Sequence, residues 1–297
     1  MVNYQQASIA LQYHRPPSLL NHFSRKLWHY AVRSLGYLMP SLLAKLLYRL
    51  WFVVPRFALP DIEKSIRDQA RIQRFKNNQR WLTSYHWPGT GHRRVLLVHG
   101  WSGRSTQFVE IIKALNFAGY HVHAIDFPAH GSSEGRTTNL YEMAEALEIF
   151  AESLGMLDAV VTHSLGGPVA ALALRDNPIA KKMICISPPA SMDRLFQHFV
   201  DLLSIPDKVT THILSLAKQE FGKEIMRDLS LIENIKSLLC PGLIIHDEDD
   251  QDVSIADALE LAQHWPQAEL LKTTGLGHRR ILRDPQVIDK LLEFIQN

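Results

Sequence analysis

The stretch from Asp158 to Ala170 (Asp-Ala-Val-Val-Thr-His-Ser-Leu-Gly-Gly-Pro-Val-Ala) constrains the fold of this chain more than any other. Val160, Val161 and Thr162 form a short β-branched run of the kind that makes a buried strand. Past Ser164 the chain runs into Val-Ala-Ala-Leu-Ala-Leu, a strong helix former. A strand that becomes a helix within about three residues forces the residue at the bend into a strained, outward-pointing conformation. Its neighbours must then be small, and Gly166 and Gly167 are. Pro168 falls in the first helical turn, where a missing N–H costs little. The pattern predicts a serine hydroxyl at the carboxyl end of a sheet, over a helix N-terminus that favours negative charge. Taken alone, these residues also fit an ordinary serine in a strand-to-helix turn, so the rest of the chain must decide.

The surrounding chain alternates strands and helices. Residues 80–87 alternate like a half-buried strand, residues 88–91 (Pro-Gly-Thr-Gly) make a turn, and residues 95–98 are a fully apolar strand. That strand ends in His99-Gly100-Trp101-Ser102-Gly103-Arg104, followed by a helix to about Ala118. A strand over 120–125 leads into Asp126-Phe127-Pro128-Ala129-His130-Gly131-Ser132-Ser133, and a helix over about 140–153 precedes the bend. Further strands are expected at 182–187, 242–246 and 269–273. Strands separated by helices of roughly 10–15 residues imply an α/β fold, a mostly parallel sheet flanked by helices on both faces.

The first part of the chain differs in character. Residues 1–60 hold seven of the 32 Lys and Arg residues and none of the 30 Asp and Glu, which leaves the remainder at a net charge of −5. The start lacks the basic residues of a secretion signal, and the longest charge-free apolar piece, 34–44, is far short of the ~18 residues needed to cross a bilayer. Leu42, Leu43, Leu46, Leu47 and Leu50 are expected to share one helical face, with Ser41, Lys45 and Arg49 opposite. Two placements fit: a helical arm packed on the remaining chain, which is the more common fate of such helices, or a cationic helix lying on an anionic membrane through residues 19–56. From Pro60-Asp61 a polar helix, capped by Asp61, is expected to run to about Asn78, so that 1–80 form an arm and connector and 81–297 the main domain. Cys185 and Cys240 give neither a disulfide framework nor metal spacing, and are expected to be buried and reduced. The basic residues are interleaved with Leu and aromatics, and the main domain is acidic, so nucleic acid is not an expected partner.

The bend written here Thr-x-Ser-x-Gly resembles the nucleophile elbow of the α/β-hydrolase family, Gly-x-Ser-x-Gly, with Thr162 in the first small position. Over 81–297 the chain is similar to bacterial members that carry H-G-W-x-G-R, D-x-P-A-H-G, H-S-L-G-G and G-L-G-H-R-R-I-L-R-D, most of them known as esterase-like or lysophospholipase-like hydrolases. The resemblance implies Ser164 as nucleophile and, in the loop Asp247-Glu248-Asp249-Asp250-Gln251-Asp252-Val253, Asp250 as the triad acid, with Asp249 as the alternative. A calcium loop is excluded there, because the twelfth position counted from Asp247 is Ala258 and not Glu. The family's catalytic histidine falls on His278, reached through Gly275 and Gly277. The order Ser, Asp, His is that of the family. The implied chemistry is acyl transfer without metal or cofactor, with oxyanion donors at the Trp101 and Leu165 amides. Gly100, Gly166 and His99 support the loop, Asp126 and His130 form a structural turn, and His163 is a neighbour without a role. Serine at the elbow argues against dehalogenases and epoxide hydrolases, which use Asp there, and polyhydroxyalkanoate synthases, which use Cys.

Residues 188–240 lie where this family inserts a helical cap. Leu195, Phe196, Phe199, Leu202 and Leu203 are expected on one helical stripe; Pro206-Asp207 starts a second helix and Gly222 ends it. Met192, Phe196 and Phe199 are candidates to line an apolar acyl pocket. These features point to a cytoplasmic hydrolase of short- to medium-chain esters or lysolipids, free or held peripherally on the inner face of the membrane. A thioesterase, acyltransferase, peptidase or non-catalytic binding protein of the same fold remains open, and the oligomeric state is not legible.

Overall fold

The computed structural model describes residues 22–177 and 179–297. Eight strands form one sheet in the order β1-β2-β4-β3-β5-β6-β7-β8: β1 (Arg71–Asn77), β2 (Arg80–Trp87), β3 (Arg94–Val98), β4 (His121–Asp126), β5 (Ala159–His163), β6 (Met183–Ile186), β7 (Gly242–Asp247) and β8 (Ala268–Thr273). From β4 onward across the sheet every pairing is parallel, and only β2 runs against its neighbours. The period-2 alternation of side chains divides the core between the two faces. Leu96, Val98 and Val160 enter one apolar cluster, with α5 (Leu140–Leu154), α6 (Gly166–Leu174) and α11 (Ile255–His264). Val95, Leu97 and Val161 enter the other, with α3 (Asp61–Asp68), α4 (Val109–Phe117) and α13 (Pro285–Gln296). This is the mostly parallel, doubly covered α/β sheet expected from the sequence. Cys185 is buried in β6 and Cys240 is half-buried, both as free thiols.

The expected helix over 61–78 is wrong in its second half. Helix α3 stops at Asp68, and residues 71–77 form edge strand β1, hairpin-paired to β2 with Asn77 opposite Arg80. The two-residue link Asn78-Gln79 needs a left-handed residue, and Asn78 supplies it at φ +52°. Asp61 is the first helical residue, with Pro60 at the cap position, so Asp61 does not cap α3.

The N-terminal hairpin, α1 (His22–Leu38) and α2 (Pro40–Trp51), packs on the insertion between β6 and β7. That insertion folds as α7 (Met192–Leu203), α8 (Asp207–Phe221) and the short α9 (Ile225–Asp228) and α10 (Leu231–Asn234), with α8 ending at Gly222, φ +102°. Val32, Leu43, Ala44 and Leu47 of the hairpin join Phe196, Val200, Ile205, Val209 and Ile213 in a third apolar core separate from the two sheet faces. Gly36 permits the close crossing, since a Cβ there would stand 2.8 Å from Pro206 Cγ. The single leucine face expected on α2 is split: Leu43 and Leu47 are buried, whereas Leu42, Leu46 and Leu50 face outward. Leu202 of the α7 stripe is likewise exposed. The start of the expected membrane-facing stretch, residues 19–21, lies outside the described residues.

Candidate active site

β5 ends at His163 and α6 begins at Gly166, so Ser164 and Leu165 alone make the bend. Ser164 takes φ +55°, a left-handed conformation that costs a non-glycine residue about 1–3 kcal/mol unless its surroundings hold it. Two hydrogen bonds do so: Ser164 N donates to Ile186 O (2.9 Å) and Gly167 N to Ser164 O (3.0 Å). Gly166 is obligatory on steric grounds, because a Cβ would stand 2.4 Å from Val98 O. Thr162 is accommodated by turning its hydroxyl into the sheet, where it donates to Ile184 O on β6 (3.1 Å).

Helix α12 (Gly277–Arg280) carries His278, whose Nδ1 donates to Asp250 Oδ2 at 2.7 Å. A carboxylate can only accept, so Nδ1 carries the proton, and in the neutral ring this leaves the lone pair on Nε2. Burial alone would raise the Asp250 pKa. The bond to His278 and the amides of Asp252 (2.9 Å) and Val253 (3.0 Å) outweigh it and hold the carboxyl down at about 2. Asp249, the alternative acid, points elsewhere and accepts from Gly275 N (2.8 Å). Asp247 ties the acid loop to the histidine loop, accepting from Thr273 Oγ1, Leu276 N, Gly277 N and Asp249 N at 2.7–3.0 Å.

His163 also belongs to the site. Its Nε2 lies 2.7 Å from the carbonyl oxygen of His278, which can only accept, so Nε2 carries the proton. Nδ1 therefore accepts from the Gln107 amide (3.2 Å). The two imidazoles are 4.7 Å apart between centroids, which sets His278 directly beside the serine bend. Burial pushes the His163 pKa down to about 3, keeping the ring neutral. Sequence reasoning left His163 without a role because its partners are 56 and 115 residues away.

Gly100 touches the bend from the other side. A Cβ there would stand 2.8 Å from Ser164 Cβ and 3.0 Å from Leu165 N. Among the described residues the Trp101 and Leu165 amides donate to no protein group, so two N–H groups flank the serine unengaged. His99 fixes this loop: its Nδ1 donates to Gly100 O (2.8 Å) and its Nε2 accepts from Phe127 N (3.2 Å). Burial lowers the His99 pKa to about 4. Asp126 takes the amides of Ser105 and Ser132 and the hydroxyl of Tyr85, while His130 Nδ1 donates to Pro128 O; both hold the neighbouring turn.

Between α2 and the insertion that follows β6 lies an almost wholly apolar cavity walled by residues that include Tyr48, Trp51, Phe52, Tyr141, Met192, Phe196 and Phe221. Met192 and Phe196, two of the three expected pocket residues, contribute to it. Phe199 does not: its ring packs edge-on against Trp51 at 4.4 Å. The walls of this cavity do not include Ser164 or His278.

The family model described as "Alpha/beta hydrolase family" matches residues 95–290, which include Gly100, Trp101, His163, Ser164, Leu165, Asp250 and His278. The chain belongs to the α/β-hydrolase family. Among curated relatives, this α/β-hydrolase is 26% identical over 239 residues to lysophosphatidylserine lipase ABHD12 of Xenopus tropicalis, covering 70% of the chain but only 58% of that relative's length. It is 23% identical over 246 residues to the pimeloyl-[acyl-carrier protein] methyl ester esterase of Nitrosomonas europaea, covering 69% of the chain and 96% of the relative. Among solved structures, an esterase from Pyrococcus furiosus superposes with a TM-score of 0.64 at 19% identity, over 82% of this chain and 96% of that one, a likeness of fold.

Proposed function

We propose that this α/β-hydrolase is a serine carboxylic-ester hydrolase that works through an acyl-enzyme on Ser164. The observation that carries the reading is the convergence of a strained Ser164, an Asp250–His278 pair 2.7 Å apart beside it, and the unengaged amides of Trp101 and Leu165. In this mechanism His278 Nε2 takes the Ser164 proton as Oγ attacks the ester carbonyl, and returns it to the departing alkoxide. Asp250 stays ionised, fixes the Nδ1–H tautomer and stabilises the imidazolium. The two amides receive the oxyanion, and one such donor is typically worth about 3 kcal/mol of transition-state stabilisation. Water then repeats the sequence on the acyl-enzyme.

The substrate class follows from the surroundings. The relatives include a lysophosphatidylserine lipase and a methyl ester esterase, and the apolar cavity between α2 and the insertion, which Ser164 and His278 do not line, has room for the far end of an uncharged acyl or alkyl chain. Short- to medium-chain esters or lysolipids are therefore the proposed substrates. Thioester hydrolysis and acyl transfer use the same residues and differ only in leaving group or acceptor. Turnover of acyl-matched ester, thioester and amide substrates separates these activities. The ester is expected to be cleaved fastest, and activity on all three is expected to vanish in Ser164→Ala; a faster thioester would move the assignment to the thioesterase.

A further inference from the structure

We propose that the outer face of the α1–α2 hairpin is a docking surface for an anionic phospholipid bilayer. This reading rests on the arm alone and is independent of the chemistry assigned to Ser164.

The two helices use little of their surface to hold the protein together. Helix α1 presents Val32 and Gly36 to the insertion, and α2 presents Leu43, Ala44 and Leu47. Leu38 ends α1 in the open, and on the outward side of α2 Leu42, Leu46 and Leu50 follow one another at four-residue spacing and form a ridge along that helix. These leucines are 73%, 58%, 53% and 51% exposed. Leu35 and Met39 are exposed as well, and Tyr37 near the end of α1 is 83% exposed, an aromatic of the kind enriched at membrane interfaces. A run of large apolar side chains this long is uncommon on a soluble surface and marks a contact that the isolated chain does not make.

Charge identifies the partner. Lys45 and Arg49 lie on the helical ridge beside the leucines and Arg33 lies on α1, all three exposed and without an acidic partner among the described residues. Residues 1–60 contain no Asp or Glu at all, while the rest of the chain is net acidic. An anionic surface would therefore attract the arm and repel the body, which fixes the orientation. A second copy of the chain fits less well: an isologous contact through this ridge would bring the Lys45 and Arg49 cations of the two copies close together. The arrangement is that of an amphipathic interfacial helix, with leucines entering the headgroup–acyl boundary and cations on the phosphates. The same helix α2 walls the apolar cavity with Tyr48 and Trp51, so docking sets that cavity beside the lipid.

The test is sedimentation of the full chain with vesicles of phosphatidylcholine alone or of phosphatidylcholine mixed with phosphatidylglycerol. Wild type should pellet with the mixed vesicles and remain largely in solution with phosphatidylcholine. Lys45→Gln/Arg49→Gln should weaken binding by about fivefold for each charge removed, an effect that added salt erases. Leu42→Glu/Leu46→Glu should abolish binding while keeping the wild-type circular dichroism and unfolding transition, since neither side chain is buried. Ser164→Ala should bind as wild type does. Wild type that stays in solution with the mixed vesicles overturns the proposal, as does a Leu42→Glu/Leu46→Glu variant that still pellets. A wild-type dimer by light scattering, made monomeric by the same pair of glutamates and indifferent to both vesicles, would replace the bilayer by a second copy.

Discussion

Replacing His163 probes how His278, the proposed base, is held beside Ser164, the proposed nucleophile. The Nε2–H of His163 is a 2.7 Å donor to the His278 carbonyl, and its Nδ1 receives the Gln107 amide. His163→Phe keeps a flat ring in a buried space but leaves both partners without their bond, at a cost of about 1 kcal/mol for the part-buried carbonyl. The remaining anchors of the His278 loop all come from the acid loop, with Gly275 on Asp249, Leu276 and Gly277 on Asp247 and the imidazole on Asp250, so the carbonyl loses its contact from the serine side. A displacement on the order of 1 Å at a catalytic group costs roughly 100-fold in rate. The assay is the second-order rate of labelling by a fluorophosphonate, followed with pH, together with a urea unfolding curve. His163→Phe should label about 10- to 100-fold more slowly, whereas His163→Gln, whose side-chain amide can reach the same carbonyl, should recover most of the rate. Equal rates in both variants, with only the unfolding midpoint changed, would show His163 to be merely structural and refute the positioning role.

Other outcomes follow from the same geometry. Gly100→Ala places a methyl 2.8 Å from Ser164 Cβ and should reduce labelling at least about tenfold, by moving the oxyanion loop, without unfolding the protein. Asp250→Asn exchanges the imidazole tautomer and should lower ester turnover by roughly 10³–10⁴ while leaving a folded chain, as read by kcat and circular dichroism. Acid should unfold the protein early. His99, His130 and His163 are held neutral by burial, with pKa values near 4, 3 and 3, whereas an unfolded histidine titrates near 6.5. Below about pH 6.5 the unfolded chain therefore binds protons that the folded one refuses, and stability falls with pH at about 1.4 kcal/mol per unit for each ring, reaching roughly 2 kcal/mol each by about pH 5. Urea midpoints at neutral pH and near pH 5 check this, and equal midpoints would contradict it.

Much of the fold was legible because β3, β5, β6 and β7 are short, mostly apolar runs followed by loops containing Gly, Pro or Asp, and a parallel sheet buries such runs on both faces. Strand β1 was not, because an edge strand need not be apolar: Arg71, Gln73, Arg74 and Lys76 read as a charged helix. The usable signal was Asn78-Gln79 ahead of the alternating residues of β2, a two-residue hairpin link. Helix α2 misled in another way. Its apolar arc is so wide that periodicity could not say which leucines face the insertion, and packing against α8 decided it. The loops bearing Ser164, Asp250 and His278 could be placed from motif order, and the structure gathers them at one end of the sheet. His163 could not be singled out among 15 histidines, since its importance lies in a contact made only by folding.

The decisive experiment is labelling of wild type and Ser164→Ala by a fluorophosphonate. An activated serine should bond the probe covalently in wild type, with mass spectrometry placing the adduct on Ser164, and the alanine variant should stay unlabelled. A folded wild type that takes up no probe, with or without phosphatidylglycerol vesicles, or a Ser164→Ala variant that labels as well as wild type, would contradict the assignment of Ser164 as the nucleophile.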